Sequence, residues 1–294
     1  MRPTTTHLQQ HSTITTDDEI DHSIDNDLLM TFYGDDFSGS TDALEGLADN
    51  GVRALLFVDE PPTPADLDRF DNLDALGVAG ASRSMTPEEM TDTLEPAFEA
   101  LNTLDAPIVH YKVCSTFDSA PDVGSIGHAI DIGQAQYDSP VVPVSQGTEV
   151  PHGRYVAFSN LFAVQDENTY RIDRHPIMRN HPVTPMHEGD LRKHLAEQTD
   201  RSIGRVNINQ LDTVDTADTA LEDAGRENEV VVLDAVNTDH LEILGRVLWH
   251  RAKEMSGQLF MIGSSGIQHH SLVHAWAEDG HIDREKQLYQ KRDA

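Results

Sequence analysis

Short apolar runs, each followed by a polar loop, recur along the chain, and their spacing predicts alternating strands and helices. Leu28-Leu29-Met30-Thr31-Phe32-Tyr33 is the first run and reads as a buried strand. A helix over about 41–50 ends at Gly51, and strands follow at 52–58 and 73–79. Thr86-Pro87-Glu88-Glu89 opens a helix to about 101, with a Thr cap, Pro at the first helical position and acids in the first turn. A strand at 107–113, a helix at about 123–137 and a strand at 140–144 continue the series. The rhythm lapses between Ser145 and about Pro185, where an antiparallel excursion or long functional loops are expected. It returns with a helix at about 188–198, strands at 204–208, 230–233 and 259–262, and helices at about 213–226, 239–255 and 267–277. The pattern predicts an α/β fold: an open, mostly parallel sheet with helices on both faces. Residues 1–27 read as a disordered acidic arm, 28–280 as the α/β domain and 281–294 as a charged tail.

Composition narrows the classes of function. The chain has 294 residues, 38% hydrophobic, with 51 acidic against 21 basic side chains and a net charge of -30. Such a field repels nucleic acid and anionic membranes. No apolar run is long enough to span a bilayer, and residues 1–27 lack the apolar core of a signal peptide. A soluble, cytoplasmic protein is expected. The acids are dispersed and lysine is scarce, which reads as the solvated surface of a protein from a high-salt, halophilic cytoplasm. The single cysteine, Cys114, permits no internal disulfide and reads as an inert thiol.

The candidate chemistry lies where apolar strands pass into polar loops, because ligands of open parallel sheets bind beyond the carboxyl ends of the strands. Five such loops occur: Gly34-Asp35-Asp36-Phe37-Ser38-Gly39-Ser40, Gly80-Ala81-Ser82-Arg83-Ser84, Lys112-Val113-Cys114-Ser115-Thr116-Phe117-Asp118-Ser119, Val144-Ser145-Gln146-Gly147 and Gly263-Ser264-Ser265-Gly266. With parallel strands, all five open on one edge. Asp35 and Asp36 repel each other unless they bind donors; substrate hydroxyls are such donors, and one carboxylate could act as general base. The plainer reading is a helix cap beside a solvated acid. Arg83 could clamp a substrate carboxylate in a bidentate fork, with Lys112 as a second charge and Asp118 nearby. The plainer reading for both cations is a local ion pair. Gly263, Ser264, Ser265 and Gly266 precede a helix and could favour an anion, or form an ordinary strand-to-helix turn.

Other chemistries fit less well. Asp173, His175 and His181 are metal-ligand types, but their spacing matches no zinc pattern, and a Pro-punctuated loop covering the substrate is the better expectation. No GxGxxG follows a strand, no Walker Lys-Ser/Thr pair follows the glycines, and no GxSxG elbow occurs.

Together the segments Phe32–Glu45, Gly77–Met85, His110–Ser119, Asp173–Pro176, His181–Met186 and Gly263–Gly266 resemble the four-carbon acid sugar kinase family over nearly all of 28–277. The resemblance implies ATP-dependent phosphorylation of the terminal hydroxyl of a threonate, erythronate or 3-oxo-tetronate. It implies an N-terminal lobe that binds the sugar acid and a C-terminal lobe that binds ATP and Mg²⁺. Asp35, Asp36, Arg83, Lys112 and Asp118 would belong to the acid-binding side, with Asp35 or Asp36 catalytic, and Gly263–Gly266 would lie near the cleft between lobes. No dedicated metal site is expected. A second lobe would be expected to follow residue 280, so this chain alone is expected to be inactive. A separate nucleotide-binding chain is one partner implied, and a homodimer another. The alternative is a non-catalytic sugar-acid-binding module or remnant. The loop at 144–149 is more polar than the family pattern.

Overall fold

A computed structural model describes residues 28–63, 67, 69–70, 72–147 and 153–285. The expected arm and most of the charged tail lie outside the described residues. The strands are β1 Met30–Gly34, β2 Ala54–Val58, β3 Ala75–Ala79, β4 Ile108–Lys112, β5 Val142–Ser145, β6 Arg154–Ala157, β7 Asn160–Gln165, β8 Asn168–Arg171, β9 Ile203–Val206, β10 Val230–Leu233 and β11 Leu259–Gly263. The described α-helices are α1 Phe37–Asp49, α2 Pro87–Asn102, α3 Ile126–Tyr137, α4 Leu191–Leu195, α5 Val214–Glu227, α6 Thr238–Glu254 and α7 Leu272–Glu278.

Eight strands form one sheet in the order β2-β3-β1-β4-β11-β5-β10-β9, and every described pairing in it is parallel. The central strands β1, β3, β4 and β11 are buried throughout, which explains why they are unbroken apolar runs and do not alternate. Helices α2 and α3 cover one face, with Phe98, Tyr137 and Phe260 packed ring against ring. Helices α1, α5, α6 and α7 cover the other, around Leu47, Leu221, Leu248 and Trp276. The expected α/β architecture with helices on both faces is what forms.

The excursion is a separate antiparallel sheet, β6-β7-β8. Its two turns each place both central residues at positive φ: Phe158 and Ser159 at 50° and 65°, Asp166 and Glu167 at 49° and 64°. The first turn is held by Asp234 at the end of β10, whose carboxylate accepts the amides of Phe158 at 2.5 Å and Ser159 at 2.8 Å. A buried carboxylate thus docks the small sheet on the large one.

Three local expectations shift. Helix α1 starts at Phe37, not near 41, because Asp36 caps it by accepting the Gly39 amide at 2.9 Å. The helix expected over 188–198 is the short α4. The helix expected from 267 opens with a π-helical turn, Ile267–Ser271, before α7. In that turn Gln268 donates to His110 Nδ1 at 2.7 Å, while His110 Nε2 faces the Gly263 carbonyl at 3.1 Å. Full burial holds His110 down to about 3, so its ring is neutral.

Candidate functional site

Strands β3, β1, β4, β11 and β5 are consecutive in the sheet, so the five polar loops do share one edge. The chain leaves β1 for β2 and β3 on one side, then crosses through α2 to β4 on the other. Winding reverses at β1, and a crevice opens there. A cleft of about 310 Å³ lies at this point, lined by Asp35, Asp36, Asp59, Arg83, Ser84, His181 and Thr184, with Phe37 and Val183 at its apolar rim.

Arg83 organises the cleft. Its Nε donates to Asp35 Oδ2 at 2.9 Å and its Nη2 to Asp35 Oδ1 at 2.6 Å. The same Nη2 lies 3.0 Å from Asp36 Oδ1. The bidentate fork expected for a substrate carboxylate is therefore closed on Asp35, and among the described residues Nη1 has no partner. Burial pushes the Asp35 carboxyl above its ordinary range, against the pull of Arg83 and Lys112. The guanidinium is stabilised by the Asp35 contact and remains charged. Backbone bonds fix both loops, from the Asp35 amide to the Lys112 carbonyl at 2.9 Å and from the Arg83 amide to the Asp35 carbonyl at 3.0 Å. Gly124, at φ +57°, backs the arrangement; a Cβ there would meet the Arg83 carbonyl oxygen at 2.3 Å.

Asp36 differs from its neighbour. Its Oδ1 serves the α1 amide and Arg83, its side chain is 29% exposed, and Oδ2 has no partner among the described residues. Behind it lies Lys112, almost fully buried at 3% and not among the residues that line the cleft. Among the described residues no carboxylate comes within ion-pair distance of its ammonium. Gly39 makes room for it: a Cβ at that position would meet Lys112 Nζ at 1.9 Å and Asp36 Oδ1 at 2.5 Å. The ammonium and the Asp36 carboxylate therefore flank one small space at the start of α1.

Asp118 is not on the cleft wall. It accepts from Thr116 Oγ1 and lies 3.4 Å from Thr184 Oγ1, so it ties the β4 loop to the loop 172–186. Phe117 between them is held at φ +57°. Cys114 is half-buried beside Thr116, and burial with the nearby Asp118 pushes its thiol up, which keeps it protonated. The Gly263–Gly266 loop also stands apart. The Ser264 amide donates to the Ser145 carbonyl at 3.3 Å, and its hydroxyl donates to the Gly147 carbonyl at 2.9 Å while accepting the Gly147 amide at 3.2 Å. None of its residues lines the cleft.

The loop after β8 does reach the cleft, as expected for a cover. Its metal-ligand types have separate tasks: Asp173 pairs with Arg171 at 2.6 Å, and His175 and His181 each cap a turn. Sequence reasoning missed Asp59, Ser84, Thr116 and Thr184. Asp59 carries the one usable signal, since it follows β2 directly at a strand's carboxyl end.

A parallel, doubly wound sheet with a charged cleft at its switch point defines an α/β protein whose cleft lies where sheets of this class take their ligands. The chain belongs to the sugar-binding N-terminal domain family, matched over residues 30–271, and with its relatives to the four-carbon acid sugar kinases. It is 43% identical over 253 residues to a 3-oxo-isoapionate kinase of Paraburkholderia graminis, covering 86% of this chain and 53% of that protein. It is 29% identical over 260 residues to a 3-oxo-tetronate kinase of Methylobacterium radiotolerans, covering 88% and 57%. A crystal structure of a Salmonella typhimurium protein superposes with a TM-score of 0.76 at 29% identity, covering 86% of this chain and 56% of that one. A Bordetella bronchiseptica domain, described as a domain-swapped dimer with bound citrate, shares the fold at a TM-score of 0.65 and 20% identity, covering 85% and 57%. The chain thus spans a little over half the length of the curated relatives it matches.

Proposed function

We propose that this chain binds the acceptor of an ATP-dependent kinase that phosphorylates the terminal hydroxyl of a four-carbon sugar acid such as a threonate, erythronate or 3-oxo-tetronate. One observation carries this reading: in the cleft at the switch point of the sheet Asp36 has an oxygen unengaged among the described residues, beside a charged Arg83, with Lys112 buried behind it and without an ion-pair partner among the described residues. A buried ammonium without a partner is costly, and an anionic ligand relieves that cost. In this assignment Lys112 and Arg83 Nη1 receive the acid's carboxylate. Asp36 accepts the acceptor hydroxyl and takes its proton, while Asp35 fixes Arg83. Asp118 acts through Thr184. ATP with its Mg²⁺ supplies the phosphoryl group, held by a second lobe or a separate nucleotide-binding chain, and the work of this lobe is positioning.

Calorimetry of the chain with erythronate, threonate and 3-oxo-tetronate tests the proposal. Binding of one of them that is lost in Asp36→Asn or Lys112→Met is the expected result. No binding at millimolar acid would sink it. Binding with no ATP-dependent turnover, even when the C-terminal half of a relative is supplied, would leave a binding module without catalysis. We also infer a homodimer, which sedimentation reads directly. The net charge of -30 we read as an adaptation to concentrated salt in a cytoplasm, expected to appear as a melting temperature that rises with KCl. Among the described residues no helix is long and apolar enough to cross a membrane.

A further inference from the structure

Two His-Pro turns follow each other in the cover loop, His175-Pro176-Ile177-Met178 and His181-Pro182-Val183-Thr184, and they are built alike. In the first, His175 Nδ1 accepts the amides of Ile177 and Met178, both at 3.3 Å. In the second, His181 Nδ1 accepts the Thr184 amide at 3.1 Å and lies 3.0 Å from the Thr184 hydroxyl. An amide N–H can only donate, so these contacts place a lone pair on Nδ1 in both rings; at His181 the Thr184 hydroxyl then gives its one proton to Nδ1, and its 3.4 Å approach to Asp118 is a contact and not a second donation. A neutral imidazole then has its proton on Nε2.

The two rings differ in what Nε2 meets. His175 is buried at 4% exposure and sits edge-on to Tyr170. His181 lines the cleft with Asp36 and Arg83, and its Nε2 has no partner among the described residues. Thr184 joins this turn to Asp118, so the ring is anchored to the β4 loop from its far side.

We infer that His181 is an acceptor-binding residue that presents a fixed Nε2–H donor to an oxygen of the bound acid. The inference rests on the acceptor-site reading of the cleft and adds what that reading lacks. The cleft carries three carboxylates, Asp35, Asp36 and Asp59, which can bind hydroxyls but not a ketone or carboxylate oxygen. Such oxygens only accept. Lys112 and Arg83 Nη1 are assigned to the carboxylate, and the rest of the Arg83 fork is closed on Asp35, so the cover loop supplies the donor for a further oxygen of the acid. A rigid donor facing carboxylates selects an acid with one acceptor-only oxygen among its hydroxyls, over a simple polyol.

Two substitutions separate the ring's two nitrogens. His181→Asn keeps an acceptor near the Nδ1 position and removes the Nε2 donor. His181→Gln keeps a donor near Nε2 and removes the turn cap. His181→Asn should melt like the wild type yet bind 3-oxo-tetronate or erythronate about tenfold more weakly in calorimetry, equivalent to about 1.4 kcal/mol. His181→Gln should melt lower but recover part of the affinity. Wild-type affinity in His181→Asn, or no recovery in His181→Gln, would overturn the role. Side-chain ¹⁵N spectra of the free chain give a readout that needs no ligand: Nε2 protonated and Nδ1 bare is expected, and a protonated Nδ1 overturns the geometry. If the wild type binds neither acid, the acceptor-site reading fails and this role fails with it. Indifference of His181→Asn alone overturns only the role.

Discussion

The edge of the sheet has two halves, and they use similar residues differently. Over β3, β1 and β4, Asp36 keeps one oxygen free and Lys112 has no ion-pair partner among the described residues, and His181 lines the cleft. Over β11 and β5, Ser264 spends its amide on Ser145 and its hydroxyl on Gly147, and Gln146 donates to the Cys114 carbonyl at 2.7 Å. Both halves look like glycine- and serine-rich functional loops in the sequence. What separates them is whether the polar groups satisfy one another. The first half pairs charges incompletely beside an open cleft; the second ties two adjacent strands through Ser264, although the Ser145 hydroxyl and Gln146 Oε1 stay buried without a partner among the described residues.

This contrast can be broken, and the sharpest attempt is at Arg83. Arg83→Met leaves the Asp35 carboxylate, 4% exposed, without its partner. Breaking a buried pair costs about 3–5 kcal/mol, so denaturant unfolding should show a loss of that order together with lost acid binding. A stable variant that still binds would refute the organising role. Lys112→Met is the informative opposite. It removes a buried ammonium with no ion-pair partner among the described residues, so the melting temperature should hold or rise, while acid affinity falls by about 1.5–3 kcal/mol in calorimetry. A loss of stability without loss of affinity would move Lys112 into the structural half.

Ser264→Ala probes the closed half. It removes a hydroxyl that makes two hydrogen bonds to Gly147, so about 1–3 kcal/mol of stability should go, with acid affinity unchanged. If affinity drops as far as in Lys112→Met, the two halves are one site. A separate test is the pH dependence of stability. Burial holds His110 down to about 3 and His194 down to about 4, from an ordinary value of 6.5. The unfolded chain takes up those protons below pH 6.5 and the folded chain does not. The stability they contribute is present above pH 6.5 and is lost as pH falls toward about 4. Chemical denaturation across that window should show the decline, and His110→Gln should flatten it. A wild-type profile that is already flat would mean that His110 is not enclosed between β4 and β11.

Much of the fold was legible because a strand buried on both faces must be apolar along its length, and each such run here is short and bounded by turn residues. The β10 strand, Val230–Leu233, matches its predicted limits, and the Thr86 cap with Glu89 forms a complete capping box. Reading failed where tertiary contacts set the geometry. The start of α1 depends on Asp36 folding back on the Gly39 amide, so half of a presumed loop is helix. Helix α4 is shorter than its pattern: Asp190 caps its start by accepting the Arg192 amide, and beyond its end Gln198 bonds Ser119 and Ser125. The π-turn at Ile267–Ser271 has no sequence mark; the buried Gln268–His110 contact lies within it.

The same division holds at the site. Sequence alone determined the parallel α/β class, the edge that the polar loops share and the acidic and basic residues brought to it, because strand direction and burial follow from local pattern. It could not apportion their roles. Asp35 and Asp36 are adjacent and chemically identical, yet one is enclosed by Arg83 and the other faces the cleft. His175 and His181 stand in matching turns, yet one is buried and the other lines the site. Those differences come from which neighbour, distant in sequence, arrives to take up a charge or a lone pair, and only the packed chain decides that.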